Sequence, residues 1–130
     1  MNSLLPGQAT LIFNRNSIKN SDSDKLKFGF RIPNNKFIAE LLKYINEPLA
    51  IVNMSPRPLH IFEFEILWND IDLIVDGNLL GFEDDPKARF DSTVVDLSIP
   101  GTYKILRQGT FFERTIQQLE KKCKLVVRKI

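Results

Sequence analysis

Few side chains in this 130-residue sequence are of a type that does chemistry, and they are scattered. There is one cysteine, Cys123, and one histidine, His60. Cys123 stands between Lys122 and Lys124, cations that favour a thiolate. A thiol nucleophile also wants a base, and only His60 is available. The plainer reading is a structural or exposed thiol and an inert ring after a proline-rich loop. Asp84 and Asp85 are adjacent carboxylates without calcium-loop spacing, which makes them part of a charged loop. One cysteine and one histidine exclude an internal disulfide framework, an all-cysteine zinc site and a multi-histidine metal site.

Hydroxyl, amide and arginine residues at the ends of apolar runs say more. Thr10 follows the Pro6-Gly7 turn, and Arg31 closes a run just before Pro33. Asn53 and Ser55 end another run, Ser92 and Thr93 open one, and Arg107 ends one ahead of Gln108-Gly109. Strand ends in open α/β sheets are where ligand crevices form. Guanidinium groups with paired donors, joined by hydroxyls, suit a phosphate or a carboxylate.

The elements that must position these residues are short. Strands are expected over 9–14, 26–32, 49–54, 72–75, 92–97, 103–107 and 124–130, divided by Pro-Gly, Asp-Gly and polar turn signals. Phe37, Ile38, Leu41, Leu42 and Ile45 recur on one helical stripe, with Asn34 or Asn35 as its cap. Phe112, Ile116 and Leu119 mark a second helix over 111–122. Residues 61–68 fit either a strand or a short helix, and helix is favoured. Residues 16–25 and 81–91 read as loops. No repeat is visible. Strands alternating with helices argue for an α/β fold, a twisted mixed β-sheet with flanking helices.

Length and composition bound the rest. A chain of 130 residues makes one domain. A hydrophobic fraction of 43% with 6 Gly and 7 Pro excludes collagen-like and wholly disordered readings. No apolar run is long enough to cross a membrane. The opening MNSLLPGQ lacks the basic region of a secretory signal, so a cytoplasmic protein without a membrane partner is expected. Residues 66–98 hold 2 basic and 8 acidic side chains, whereas 99–130 hold 8 and 2. Mutual neutralisation is the simple reading of that asymmetry. The alternative is an anionic partner, tRNA or double-stranded RNA, at Lys121, Lys122, Lys124, Arg128 and Lys129.

The segments LLPGQATLIF, FGFRIPNNKFIAELLKYINEPLA, DLIVDG, STVVDL and YKILRQG, in this order, resemble the YrdC/YciO/YwlC family of threonylcarbamoyl-AMP synthases. The resemblance implies a YrdC-like domain whose substrates are ATP, threonine and bicarbonate. ATP is thus a substrate, with Mg²⁺ as its companion ion and no resident metal or organic cofactor. Residue by residue, it places Arg31 and Arg107 near nucleotide phosphates or the threonine carboxylate. Ser92 and Thr93 would lie beside nucleotide and amino acid, and Thr10 on the same concave surface. Where the family has Ser-Ala-Asn, this sequence reads Val52-Asn53-Met54-Ser55-Pro56, so Asn53 and Ser55 align in more than one way. The family's N-terminal Pro-Thr-(Asp/Glu)-Thr and Lys/Arg-rich motifs have no counterpart here. The expectation is a domain lacking its N-terminal third, inactive alone, with uncovered apolar strand faces that drive self-association or pairing with an N-terminal partner fragment.

Overall fold

The computed structural model describes residues 4–14, 27–52, 54, 57–80, 84–85 and 89–128. The chain divides into two compact units, Met1–Leu49 with Ser92–Ile130, and Ala50–Asp91.

The first unit is built on a five-stranded mixed sheet of order β2-β1-β3-β4-β5. Its strands are β1 Ala9–Asn14, β2 Lys27–Phe30, β3 Thr93–Asp96, β4 Thr102–Arg107 and β5 Val126–Val127. The β1 sequence ATLIFN alternates in the way a sheet face demands: Ala9 and Leu11 are buried, and Phe13 packs against them. β1 pairs antiparallel with β2, Leu11 opposite Phe30, and parallel with β3, Leu11 opposite Val95. β3 and β4 run antiparallel, and β4 and β5 run parallel. One sheet face therefore carries Ala9, Leu11 and Val95, completed by Tyr103, Leu4 and Leu119 into the core. On that same face Phe13, Phe28 and Phe30 cluster, with Phe13 and Phe30 stacked at 5.4 Å. The Tyr103 hydroxyl donates to Glu120 Oε1 at 2.7 Å, which satisfies the one polar atom this core residue brings inside. Burial of the phenol, joined by the Glu120 hydrogen bond, pushes its pKa up to about 12.

The first helix, α1, spans Lys36–Ile45. Asn35 caps it by accepting from the Ile38 N–H at 3.0 Å, and Asn46 ends it in the left-handed region at φ 54. Its apolar stripe is present but none of it is fully buried; Phe37 is 51% exposed. The second helix, α2, spans Phe112–Gln117 and runs into a π turn over Gln118–Lys122. It begins one residue later than expected, because Phe111 takes a left-handed φ of 59 and stands outside it as the cap. Leu119 carries the helix stripe into the core. Burying a leucine of this kind is worth about 2 kcal/mol.

Among the described residues of the second unit, the Glu63 carboxylate gathers several partners. Glu63, in the 3₁₀ helix Ile61–Asp70, accepts the Leu59 and His60 N–H groups, both at 3.0 Å, and is gripped by Arg89. That hydrogen bond from Arg89, with the one from the Leu59 N–H, brings its pKa down to about 2. Arg89 also donates to the Arg57 carbonyl at 3.2 Å. Leu59, 1% exposed, is the buried residue these bonds surround. The favoured helix over 61–68 forms, as 3₁₀ turns with a break at Phe64. The His60 ring stacks on Phe62 at 4.8 Å.

Two expected strands do not form. Among the described residues of 49–54 and 72–75 there is no strand, and Leu49, Ile51, Val52, Leu73 and Val75 are exposed. An apolar run becomes a strand only where a neighbour completes its ladder, and no described residue of Ala50–Asp91 pairs in a sheet. Among the described residues of the final strand expected over 124–130, only Val126–Val127 are in a strand. The loop expected over 16–25 lies outside the described residues.

Candidate binding site at one end of the sheet

β1 and β3 are parallel and start at the same end of the sheet, and their antiparallel neighbours β2 and β4 finish there. This topology gathers Thr10, Arg31, Ser92, Thr93 and Arg107 at one end, although they are distant in sequence. The end is the amino end of the parallel pair, not the carboxyl end where α/β crevices usually lie.

Ser92, Val94 and Asp96 alternate along one face of β3, the face opposite the core. Thr10 stands on that face of β1, opposite Val94. Its Oγ1 lies 2.9 Å from Ser92 Oγ, a hydrogen bond across the parallel seam. Arg107 reaches the same face through a bulge. Val95 faces Ile105, but Val94 faces Arg107, so Leu106 is an extra residue. Regular alternation onward from Ile105 would instead turn Arg107 toward the side of Tyr103 and Ile105. Re-aiming a side chain in this way is a recurrent use of bulges. Arg107 then donates from Nε to the Ser92 carbonyl at 3.1 Å and from Nη2 to Ser92 Oγ at 3.3 Å. Ser92 is only 2% exposed, so it forms the floor that orients the more accessible Thr10 and Arg107.

Thr93 points the other way. It is fully buried, donates to the Thr110 carbonyl at 2.9 Å and accepts the Gly109 N–H at 3.2 Å. It thereby fixes the turn that follows Arg107. Arg31, just past β2, donates from Nε to the Gly7 carbonyl at 3.2 Å and from Nη2 to Gln8 Oε1 at 3.1 Å. Beside Gly7 and Gln8 opens a cleft of about 280 Å³, lined also by Leu4, Phe111, Arg114 and Gln118.

Asn53, Ser55 and Lys129 lie outside the described residues. Of the basic set, Lys121, Lys122 and Lys124 are exposed. Arg128 is turned inward: its Nη2 lies 3.2 Å from Asp96 Oδ1, while Lys27 Nζ takes Asp96 Oδ2 at 2.8 Å. Burial alone would raise the Asp96 pKa; hydrogen bonds from Lys27 and Ser98 and the Arg128 charge overcome this and hold it well below the usual carboxylate range. Asp96 and Gln8 are the residues that sequence reasoning passed over. For Asp96 a signal existed, an acid in the buried-looking strand STVVDL. For Gln8 there was none beyond its place between Gly7 and Thr10.

One end of the mixed sheet thus carries two arginines and a pair of hydroxyls, groups whose chemistry suits a phosphate or a carboxylate. The model of the Sua5_yciO_yrdC family, described as telomere recombination, matches residues 1–109, and the chain belongs to that family. It is similar to the threonylcarbamoyl-AMP synthase of Homo sapiens, 37% identical over 129 residues, which are 95% of this chain and 46% of the relative. The Mus musculus protein of the same name is 36% identical over the same shares, and that of Bos taurus 39% over 118 residues, 86% of this chain and 43% of the relative. The chain thus spans just under half the length of the curated relatives it matches. No solved structure matches it. No helix among the described residues is long and apolar enough to cross a membrane.

Proposed function

We propose that residues 1–130 form the nucleotide- and threonine-binding part of a YrdC-like domain that makes threonylcarbamoyl-AMP from ATP, threonine and bicarbonate, for tRNA adenosine modification. The observation that carries this reading is the convergence of Thr10, Arg107 and Ser92 across the β1–β3 seam, with Arg31 at the same sheet end. ATP and bicarbonate are anions, threonine brings a carboxylate, and forming the adenylate releases pyrophosphate. Guanidinium groups held in place beforehand stabilise that charge without reorganising. Arg107, Arg31 and Thr10 meet the ligand in this reading, and Ser92 and Thr93 hold them; a ligand role for Asn53 and Ser55 comes from the family resemblance alone. Mg²⁺ would arrive on the ATP phosphates, since no trio of His, Cys, Asp or Glu among the described residues can hold a metal.

Part of the family's donor set has no counterpart in these residues, so ATP affinity should be weak, on the order of millimolar, about −4 kcal/mol. Titration calorimetry on the 130-residue chain should give that heat, and Arg107→Ala should remove most of it. Equal heats for both proteins would sink the site. Incubated with ATP, threonine and bicarbonate, the chain by itself should release no pyrophosphate; turnover would show that the family's N-terminal motifs are dispensable.

A second reading is supported by the exposed Lys121, Lys122 and Lys124, which make no ion pair among the described residues. These would contact the phosphates of tRNA or double-stranded RNA, and binding would then fall steeply between about 50 and 200 mM salt.

A further inference from the structure

The helix α2 turns one stripe toward the cleft beside Gly7 and Gln8. Phe111, Arg114, Thr115 and Gln118 recur at helical spacing, and all four line it together with Leu4. Every lining residue belongs to the first unit. Thr10, Ser92 and Arg107 are not among them, so this cleft is separate from the β1–β3 seam. Its volume of about 280 Å³ lies just below the roughly 300 Å³ at which sites for drug-sized ligands begin, so a fitting ligand is small.

Two of the polar side chains in its wall are already engaged. Gln8 Oε1 accepts from Arg31 Nη2 and Thr110 Oγ1. Thr115 Oγ1 donates to the Phe111 carbonyl at 2.9 Å. Two others differ. Gln118 Oε1 is buried, yet no hydrogen bond reaches it among the described residues. A buried carboxamide oxygen without a donor costs folding free energy. Arg114, one helical turn earlier on the same face, is exposed, and its guanidinium makes no hydrogen bond or ion pair among the described residues. Beside them Phe111 takes a φ of 59, a left-handed backbone that bulky residues rarely adopt, and its ring stays 57% exposed. Backbone strain of this kind collects where ligands are clamped.

Each of these groups asks for a different part of one molecule. A free guanidinium takes a carboxylate, a buried carbonyl oxygen takes an N–H or O–H, and an exposed ring beside Leu4 takes an apolar tail. Side chains one turn apart have Cβ atoms about 5–6 Å apart, a gap that neighbouring groups on a single ligand carbon can bridge. We propose that this cleft binds a small apolar carboxylic acid with an N–H or O–H donor next to its carboxylate. The carboxylate meets Arg114, the donor meets Gln118 Oε1, and the tail lies against Phe111. α-Amino acids and α-hydroxy acids share that chemistry. The site is independent of the ATP reading given above.

Three acids that differ only in the donor test it: L-leucine with an ammonium, leucic acid with a hydroxyl, and isocaproate with neither. Each is titrated into the full 130-residue chain while proton–nitrogen spectra are recorded. Leucine or leucic acid should shift the amide signals of Gly7, Thr115 and Gln118, and whichever binds identifies the donor. Isocaproate should bind on the order of tenfold more weakly than that acid. Arg114→Gln, at an exposed position, should weaken binding by a similar factor. Gln118→Leu should weaken it too, while the unliganded variant should resist urea better than the parent, because the unpaired oxygen is gone. Cleft signals unmoved by both donor-bearing acids would overturn the proposal. So would isocaproate binding as tightly as they do, or parent-like affinity in Arg114→Gln. The acid series on the parent decides the donor's part without any variant.

Discussion

The two ends of β3 use cations in opposite ways. At its start, Arg107 and, nearby, Arg31 donate to neutral oxygens: the Ser92 carbonyl and hydroxyl, the Gly7 carbonyl and the Gln8 carboxamide. At its end, about 13 Å away at sheet spacing, Lys27 and Arg128 converge on the buried carboxylate of Asp96. Charge at the far end is consumed in holding β2, β3 and the chain after β5 together. The near-end acceptors just named carry no net charge. In the proposed reading, the same side-chain type serves architecture at one end of the strand and ligand capture at the other.

This contrast is open to breakage. The largest expected effect is on stability: Asp96→Asn strands two cations and should cost about 3 kcal/mol, the low end for a broken buried pair because Lys27 is half exposed. Urea unfolding measures it, and ATP affinity should stay within about twofold. A variant that unfolds normally but loses ATP would mean the two ends are not separate. An acid titration sharpens the point. Because the folded pKa of Asp96 is depressed, its contribution is intact at neutral pH and down to its ordinary value of 3.8, then fades as pH falls toward the folded value. The parent should weaken below about pH 4, and Asp96→Asn should show a shallower acid limb. The smallest effect lies in alkali. The folded pKa of Tyr103 is raised to about 12 from 10.0, so its contribution is complete below pH 10.0 and lost as pH rises through 12. Tyr103→Phe should lose about 1 kcal/mol at neutral pH, one hydrogen bond's worth, and should flatten that alkaline loss.

How much of this was legible in the sequence varied with how local the cause was. β1 and β3 announce themselves as short apolar runs between turn signals, and Asn34 or Asn35 announces α1, because both signals lie within a few residues. The runs 49–54 and 72–75 carry the same apolar content as true strands, but periodicity says nothing about whether a neighbour exists to pair with. The site residues were identifiable by type and by family motif; their meeting was not. It depends on the parallel register of β1 with β3 and on the bulge at Leu106, and neither leaves a trace in spacing. Arg128 shows the reverse failure: a basic residue in a basic tail, it reads as surface charge until Asp96 is found beneath it.

The seam between β1 and β3 also governs when the site can come into being. β2 with β1, and β3 with β4, are antiparallel pairs that form locally. The parallel contact joining them brings together Thr10 and Ser92, 82 positions apart. Closing a loop of that size costs roughly 4 kcal/mol in its length-dependent part alone, a cost the two local hairpins do not carry. A growing chain holds no site until β3 has emerged, and a chain whose seam opens loses the Thr10–Ser92 contact at once. An anion bound across the two strands would therefore act as a clasp, adding RT ln(1 + [L]/Kd) to the hold between the two hairpins.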